Sequence, residues 1–386
     1  MNIEDVKKVA VMGSGEMGHG IAEVLLLGGY TVNIRDIEQR FLDRGLAKIK
    51  ESFDKMEQKQ RISSQKVTEM MQNIKAYVDI HQAVNDVDFV IEAVPEIQDL
   101  KKKVFEEIDK AAPKHTIIAS NTSGINISDL AAVTQRPGKV LGMHFLNPVM
   151  MMKLVEVIKA RKTATEAVQI TYDLATKIGK VPIIVEKDSP GFVYTRLNAP
   201  KTILLGAIVE KGLATPEEID ARMKEAGMPM GPYELMDFIG LDILYHGNLY
   251  FSNVLSPDYL PPKWLKEKVE QGNFGRKTGM GIYDWSKGRP AINPALARKD
   301  FDPDIFLALQ VNEATKLVEE GVVKNPDDID KAIINGGGGE VGPLQRGKEV
   351  GYIKLANLCQ TLADKFGVET FRPTETLKTG KIAGSK

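Results

Sequence analysis

Gly13-Ser14-Gly15-Glu16-Met17-Gly18 separates two kinds of hydrophobic pattern. Before it, Lys8 to Met12 (KVAVM) is a short β-branched run that predicts a strand. After it, Ile21, Val24, Leu25 and Leu27 recur at helical spacing. Gly28-Gly29 ends that helix, and Thr31-Val32-Asn33-Ile34-Arg35 reads as the next strand. Asp36 closes it, eighteen residues past Gly18. Gly13 permits a tight turn, Gly15 lets the backbone approach a pyrophosphate, and Gly18 lets helix and strand pack closely. The helix N-terminus then offers free N–H groups and a positive dipole end to phosphate. Asp36 can accept hydrogen bonds from both ribose hydroxyls of NAD and would repel a 2′-phosphate, a preference that the neighbouring Arg35 weakens. A glycine-rich turn without a ligand is the bland alternative; strand, helix and acid together favour a dinucleotide.

The pattern then changes. Glu38 to Lys59 is highly charged, with Phe41, Leu42, Leu46, Ile49 and Phe53 on one helix face, and a second amphipathic stretch follows at Val67 to Met71. This predicts a helical hairpin inserted at about residues 38–72. Further strands are expected at Asp88–Val94, Thr116–Ala119, Val140–Phe145 and Leu154–Ile158, with a helix through Leu100, Val104, Phe105 and Ile108. Lys101-Lys102-Lys103 on that helix reads as a wet surface. Alternating strands and helices predict an α/β doubly wound, mostly parallel Rossmann-type sheet with ligands at the C-terminal strand ends. Cofactor contacts are expected at Gly13, Gly15, Glu16, Met17, Gly18, Asp36 and Ile37, and at Ala93, Glu96 and Asn121.

Ser120 and His144 lie at or near such strand ends. Glu156 sits among four aliphatic residues in Leu154-Val155-Glu156-Val157-Ile158, where burial demands a partner. His144 is the obvious one. A Glu–His pair fixes one imidazole tautomer and stabilises the imidazolium. The bland alternatives are an edge-strand surface Glu and a satisfied core His.

With these stretches, the chain resembles the L-3-hydroxyacyl-CoA dehydrogenase family, including its 3-hydroxybutyryl-CoA dehydrogenases. The matching segments are VAVMGSGEMGHGIA, DFVIEAVPE, IIASNTSGINIS, LGMHFLNPV, MKLVEVI, DSPGFVYTRL, GMPMGPYELMDFIGLD and GRKTGMGIYDW, in family order from about residue 8 to residue 285. The resemblance implies NAD-dependent, reversible oxidation of a short-chain (S)-3-hydroxyacyl-CoA to the 3-oxoacyl-CoA, as in fatty-acid β-oxidation. It implies that His144 is the general base, that Glu156 orients it, that Ser120 hydrogen-bonds the reacting oxygen, and that Asn147 helps position the reacting groups. It also implies that the hairpin covers the CoA moiety, with Ser52 and Lys59 touching its nucleotide end; Lys48, Lys50 and Lys55 would serve equally well by charge. The chain departs from the family at Thr195, within Gly191-Phe192-Val193-Tyr194-Thr195-Arg196, where an active-site asparagine is usual. A water held by Thr195, or Asn198 one turn later, would have to stand in.

From Pro190 the pattern is helical, and it repeats. Glu210 to Asp220 is echoed by Glu320 to Asp330, Gly231-Pro232-Tyr233 by Gly342-Pro343-Leu344, and Gly240-Leu241-Asp242 by Gly351-Tyr352-Ile353, at an offset of about 110 residues. Thr215 is expected to cap a helix opened by Pro216. Gly336 to Gly339 reads as an interhelical loop. The expected division is a nucleotide domain at 1–187 and two all-α domains at 188–290 and 296–386, in line with a length of 386 residues. Single-unit relatives dimerise through this region, so the two copies are expected to pack on each other. Two-unit dehydrogenases are often fused to an enoyl-CoA hydratase, so a hydratase partner or fused domain is expected.

Composition excludes other classes. Fifty-one basic against 52 acidic residues argue against a nucleic-acid partner, and 27% charged residues against a membrane-embedded chain. The single Cys359 fits a reducing compartment, and neither Met1–Lys8 nor the final Gly384-Ser385-Lys386 reads as a targeting signal, so a cytoplasmic location is expected. The five histidines lack metal-ligand spacing. Two other functions fit parts of the pattern. One is a β-hydroxyacid dehydrogenase acting on a free acid, against which His144 with Glu156 argues, since that class uses a lysine base. The other is a catalytically impaired NAD-binding scaffold, motivated by Thr195.

Overall fold

The computed structural model describes residues 1–382, so the terminal Gly384-Ser385-Lys386 lies outside them. The chain divides into two compact units. The first holds Met1–Tyr194 and Glu320–Gly342; the second holds Thr195–Glu319 and, from Pro343, the rest of the described chain.

The first unit is built on one eight-stranded sheet. Its opening run is β1 (Lys8–Met12), α1 (Glu16–Leu27), β2 (Thr31–Arg35), the inserted hairpin α2 (Gln39–Gln58) and α3 (Ser64–Gln72), and β3 (Ile74–Tyr77). Then come α4 (Ile80–Val84), β4 (Phe89–Glu92), α5 (Gln98–Ala111), β5 (Ile117–Ser120), α6 (Ile127–Ala131), β6 (Val140–Phe145), β7 (Leu154–Lys159), α7 (Thr165–Lys177) and β8 (Val181–Val185). The order is β3-β2-β1-β4-β5-β6-β7-β8. Every pair is parallel except β6 with β7. The central strands are buried on both faces, which is why they read as unbroken apolar runs. Gly13 takes φ 100° and packs so tightly that a Cβ would stand 2.6 Å from the Ala93 carbonyl.

The second unit is helical: α8 (Tyr194–Glu210, apart from its first residue), α9 (Pro216–Glu225), α10 (Pro232–Ile239), α11 (Leu241–Val254), α12 (Lys263–Glu270) and α13 (Asp304–Glu319). After α14 (Asp327–Gly337), which belongs to the first unit, it resumes with α15 (Pro343–Val350), α16 (Tyr352–Phe366) and α17 (Glu375–Thr379). Thr215 caps α9 in a capping box with Glu218, and Pro216 is its first residue. The duplication recurs as one local device. At Gly231 a Cβ would collide with the Asp220 side chain, and at Gly342 with Asp330. Gly240 (φ 117°) and Gly351 (φ 98°) then both precede the next helix. Burial pushes the Asp220 carboxyl up to about 6, while the Tyr233 and Glu234 N–H groups that donate to it (both 2.8 Å) pull it back.

The boundaries differ from those expected at 187/188 and 296. Residues 188–194 stay with the first unit because Val193 and Tyr194 donate backbone N–H groups to Glu156. Residues 320–342 belong to the second copy by sequence but group with the first unit: Glu186 N–H donates to the Val322 carbonyl (2.8 Å), and Lys153 N–H to the Asn335 carbonyl (3.1 Å). Gly336 and Gly337 are not loop but the last turn of α14, and Gly338 ends it in the left-handed conformation. The rest of the second copy packs on the first. Arg196 on α8 donates to Glu313 on α13 at 2.7 Å, both side chains buried, and Gln310 on α13 donates to Asn198 on α8 at 3.1 Å. Thr370 donates its backbone N–H and hydroxyl to Asp258 (2.7 and 2.8 Å).

Glu313 is the buried acceptor of a charge-assisted hydrogen bond from Arg196. Glu313→Ala is therefore expected to lower stability by about 2 kcal/mol, read as a lower urea midpoint at unchanged slope.

Candidate active site

The antiparallel step between β6 and β7 sets His144 directly opposite Glu156. His144 Nδ1 donates to Glu156 Oε2 at 2.7 Å, since an ionised carboxylate is acceptor-only. Glu156 is fully buried, and His144 keeps 5% exposure. The other carboxylate oxygen, Oε1, accepts the N–H groups of Val193 (2.8 Å) and Tyr194 (3.0 Å). Those donors follow a tight turn in which Gly191 has φ 74° and Phe192 φ 50°. The Phe192 ring lies 5.5 Å from the imidazole, tilted by 59°. With Nδ1 committed, Nε2 is the nitrogen left to take a proton.

Parallel register sets Ser120 beside Glu92. Ser120 Oγ donates to Glu92 Oε2 (2.6 Å) and accepts from Thr122 N–H (3.2 Å). Glu92 Oε1 accepts from Lys101 Nζ (2.6 Å) and Val94 N–H (2.7 Å). Lys101 is thus not on a wet surface: it is 1% exposed and charge-paired. Burial pushes the Glu92 carboxyl up, against the pull of the Lys101 ammonium. The sequence reading missed Glu92, although a lone carboxylate in Phe89-Val90-Ile91-Glu92 carries the same signal as Glu156.

The residues expected to contact the cofactor lie in the segments that follow β1, β2, β4 and β5 and in the first turn of α1. Asp36 Oδ2 accepts from Ser14 N–H (2.7 Å) and Ser14 Oγ (2.8 Å), and Oδ1 accepts from Ile37 N–H (2.7 Å). Gly15 caps α1 without a side-chain bond and faces open space, as a backbone that must approach a pyrophosphate requires. Gly18 is buried, Met17 half-buried, and Glu16 pairs with Lys48 at 2.8 Å. Ile37 is an exposed aliphatic side chain beside Asp36. Ala93 donates its N–H to the Met12 carbonyl (2.7 Å), and Asn121 Oδ1 accepts from Phe145 N–H (2.8 Å). Glu96 accepts from Thr122 Oγ1 and from Ser123 N–H (3.1 Å). Arg35 donates to the Val78 carbonyl (2.9 Å), at the sheet edge. The turn and the acid fit a dinucleotide with free ribose hydroxyls.

Asn147 is exposed in the β6–β7 connection. Lys180 holds the turn behind it, donating to the carbonyls of Val149 and Met152. Met151 in the same connection is 73% exposed. Thr195 lies in the second unit, in the first turn of α8. Asn198 Oδ1 already accepts from Lys201 (3.0 Å) and Gln310 (3.1 Å), which leaves it a poor substitute for the family asparagine.

On the hairpin, Ser52 donates to Glu23 of α1. Lys48, Lys50 and Lys55 are each engaged, with Glu16, Asp54 and Glu51. Among the described residues Lys59 has no ion pair, so of the four lysines it is the one with a free charge.

Residues 8–189 match the model of the 3-hydroxyacyl-CoA dehydrogenase NAD binding domain, and residues 191–285 and 305–384 match that of the 3-hydroxyacyl-CoA dehydrogenase C-terminal domain. The chain belongs to this family. Among its relatives, the probable 3-hydroxybutyryl-CoA dehydrogenase of Deinococcus radiodurans is 40% identical over 281 residues, covering 72% of this chain and all of that one. The fatty acid oxidation complex subunit alpha of a Psychrobacter species is 33% identical across 94% of this chain, which spans 53% of that relative. The crystal structure of 3-hydroxybutyryl-CoA dehydrogenase from Escherichia coli superposes with a TM-score of 0.89 at 28% identity, covering 97% of this chain and 98% of that one. The C-terminal domain model matches two segments, in line with the repeat.

Glu23 provides a test of this region independent of activity. Burial pushes its carboxyl up from 4.5 to about 7, against the Ser52 hydrogen bond and the Lys180 charge. A folded-state value above the unfolded one means that stability is lost as pH rises from about 4.5 to about 7. Glu23→Gln is expected to raise the melting temperature at pH 8, with the gain vanishing below about pH 4.5, as followed by circular dichroism.

Proposed function

We propose that this chain is an NAD-dependent (S)-3-hydroxyacyl-CoA dehydrogenase that works on short acyl chains such as 3-hydroxybutyryl-CoA, reversibly. The observation that carries the proposal is the buried His144–Glu156 pair at 2.7 Å, set in the same sheet as the Gly13–Gly18 turn and Asp36. When bound, NAD supplies the hydride acceptor. His144 Nε2 takes the proton of the 3-hydroxyl, and the Glu156 carboxylate at Nδ1 stabilises the imidazolium that forms. Ser120 gives its single hydroxyl proton to whichever acceptor faces it: Glu92 in this structure, and the C3 oxygen in the proposed complex. Asn147 positions the reacting groups from the β6–β7 connection. In this reading Thr195 contributes a hydroxyl where the family has an amide. The Gly13–Gly18 turn, with Glu16 and Met17, would hold the pyrophosphate of the cofactor, and Asp36 and Ile37 its adenosine ribose. Ala93, Glu96 and Asn121 line the nicotinamide end.

Lys59 is the substrate-binding cation for a CoA phosphate, supported by its free charge at the end of α2. Ser52 supports the hairpin through Glu23, so toward CoA its hydroxyl is left to act as an acceptor. An enoyl-CoA hydratase as partner or fused domain is supported by the Psychrobacter relative, of which this chain covers about half. No helix among the described residues is long and apolar enough to cross a membrane. The lone buried Cys359 supports a cytoplasmic setting.

Absorbance of NADH with acetoacetyl-CoA as oxidant tests the proposal. Wild type is expected to consume NADH. His144→Ala is expected to lose about 10³-fold or more in kcat while still binding NADH. Wild type that binds NADH but turns over only a free 3-oxo acid, or nothing, would overturn it. Asp36→Asn removes the charge that repels a 2′-phosphate, and is expected to raise kcat/KM for NADPH relative to NADH by about tenfold.

A further inference from the structure

We propose that Gly336, a residue of the second helical copy, is a positioning residue for the His144–Glu156 pair; this rests on the function proposed above. Gly336 lies in the last turn of α14 and is buried. A Cβ there would stand 2.6 Å from Cδ2 and Cε2 of the Tyr194 ring and 2.8 Å from Cδ1 of Leu146. Real Cβ atoms do not approach so closely, so the glycine is a requirement of the packing. Both neighbours flank the pair. Tyr194 donates one of the two N–H groups that hold Glu156 Oε1, and Leu146 follows His144 by two residues, next to Asn147.

The helix is anchored where it makes this contact. The Asn335 carbonyl accepts Lys153 N–H (3.1 Å), just before β7 brings in Glu156. Asn335 Nδ2 is in turn held by the Lys331 carbonyl at 2.9 Å. At the far end of the segment, the Val322 carbonyl accepts Glu186 N–H and the Glu320 carbonyl accepts Lys187 Nζ. The segment is thus tied to the start of β7 and to the residues just after β8, and it sets a side-chain-free surface against the Tyr194 ring. A methyl group at this point would drive Tyr194 outward and shift the N–H that fixes Glu156. The carboxylate and its imidazole would then lose alignment, and a misplacement of about 1 Å costs on the order of 100-fold in rate.

The test is Gly336→Ala in the full chain, against Gly339→Ala, where a Cβ would meet only the Val341 carbonyl at 3.8 Å. In Gly336→Ala kcat is expected to fall about 10- to 100-fold, while KM for NADH stays within about twofold. Gly339→Ala is expected to behave as wild type. The double variant Gly336→Ala/Tyr194→Ala is expected to recover part of the loss, because the clash is shared and the two changes are not additive. A second readout needs no turnover. The Nδ1 proton of His144 should give a far-downfield proton resonance, assigned by its absence in His144→Ala. Gly336→Ala is expected to shift or broaden it, and Gly339→Ala to leave it in place. An unmoved resonance in Gly336→Ala overturns the positioning role, whatever the activity. Failure of wild type to oxidise NADH with acetoacetyl-CoA overturns instead the reaction proposed for the site.

Discussion

The desolvated carboxylate of Glu156 is what the surrounding structure is arranged around. A buried carboxylate without partners costs several kcal/mol or more. Here one oxygen faces an imidazole, and the other collects two backbone N–H groups. Satisfying it fixes the register of β6 against β7, because only this pairing brings His144 opposite. It also fixes the turn at Gly191 and Phe192, whose positive φ values aim the next two N–H groups inward. Through that turn it sets where α8 begins. The carboxylate that faces His144 is thus the same group that locks a strand pair to the start of a helix.

Much of this was legible in the sequence. Period-2 and period-3.6 patterns gave the central strands, the glycine turn, the inserted hairpin and the capped start of α9. Glu156 was legible because a lone acid in an aliphatic run must find a partner. Glu92 obeys the same rule and escaped notice because Ser120 and Lys101, its partners, lie 28 and nine residues away. Lys101 was hidden by company: in a run of three lysines, nothing local says which one turns inward. The strands β3 and β8 were also missed. β3 is a four-residue strand at the sheet edge with its middle residues exposed, so it carries no core pattern. The destination of 320–342 was illegible for another reason: the repeat fixes what the segment is, but its neighbours are chosen by long-range hydrogen bonds.

The helical half reuses one solution twice and then departs from it. In both copies a glycine makes room for an aspartate, and in the first copy that aspartate caps the start of the following helix. Buried carboxylates recur as organisers: Asp220 gathers two N–H groups and the Tyr283 hydroxyl, and Asp237 gathers the N–H groups of Ile282 and Tyr283 and the indole N–H of Trp285. The copies also differ on an exposed face. Leu235, Phe238 and Ile239 are exposed on α10, and the repeat offset matches them with Arg346, Glu349 and Val350 on α15.

Carrying both copies on one polypeptide changes what mutation can do. In a symmetric dimer every substitution is made twice, so a residue has to suit both of its symmetry-related surroundings at once. In a tandem chain each position varies alone. The stretch that in the first copy reads Gly227-Met228-Pro229-Met230 reads Gly338-Gly339-Glu340-Val341 in the second, preceded by Gly336 and Gly337. The second copy was therefore free to discard side chains where it meets Tyr194 and Leu146, at no expense to the first.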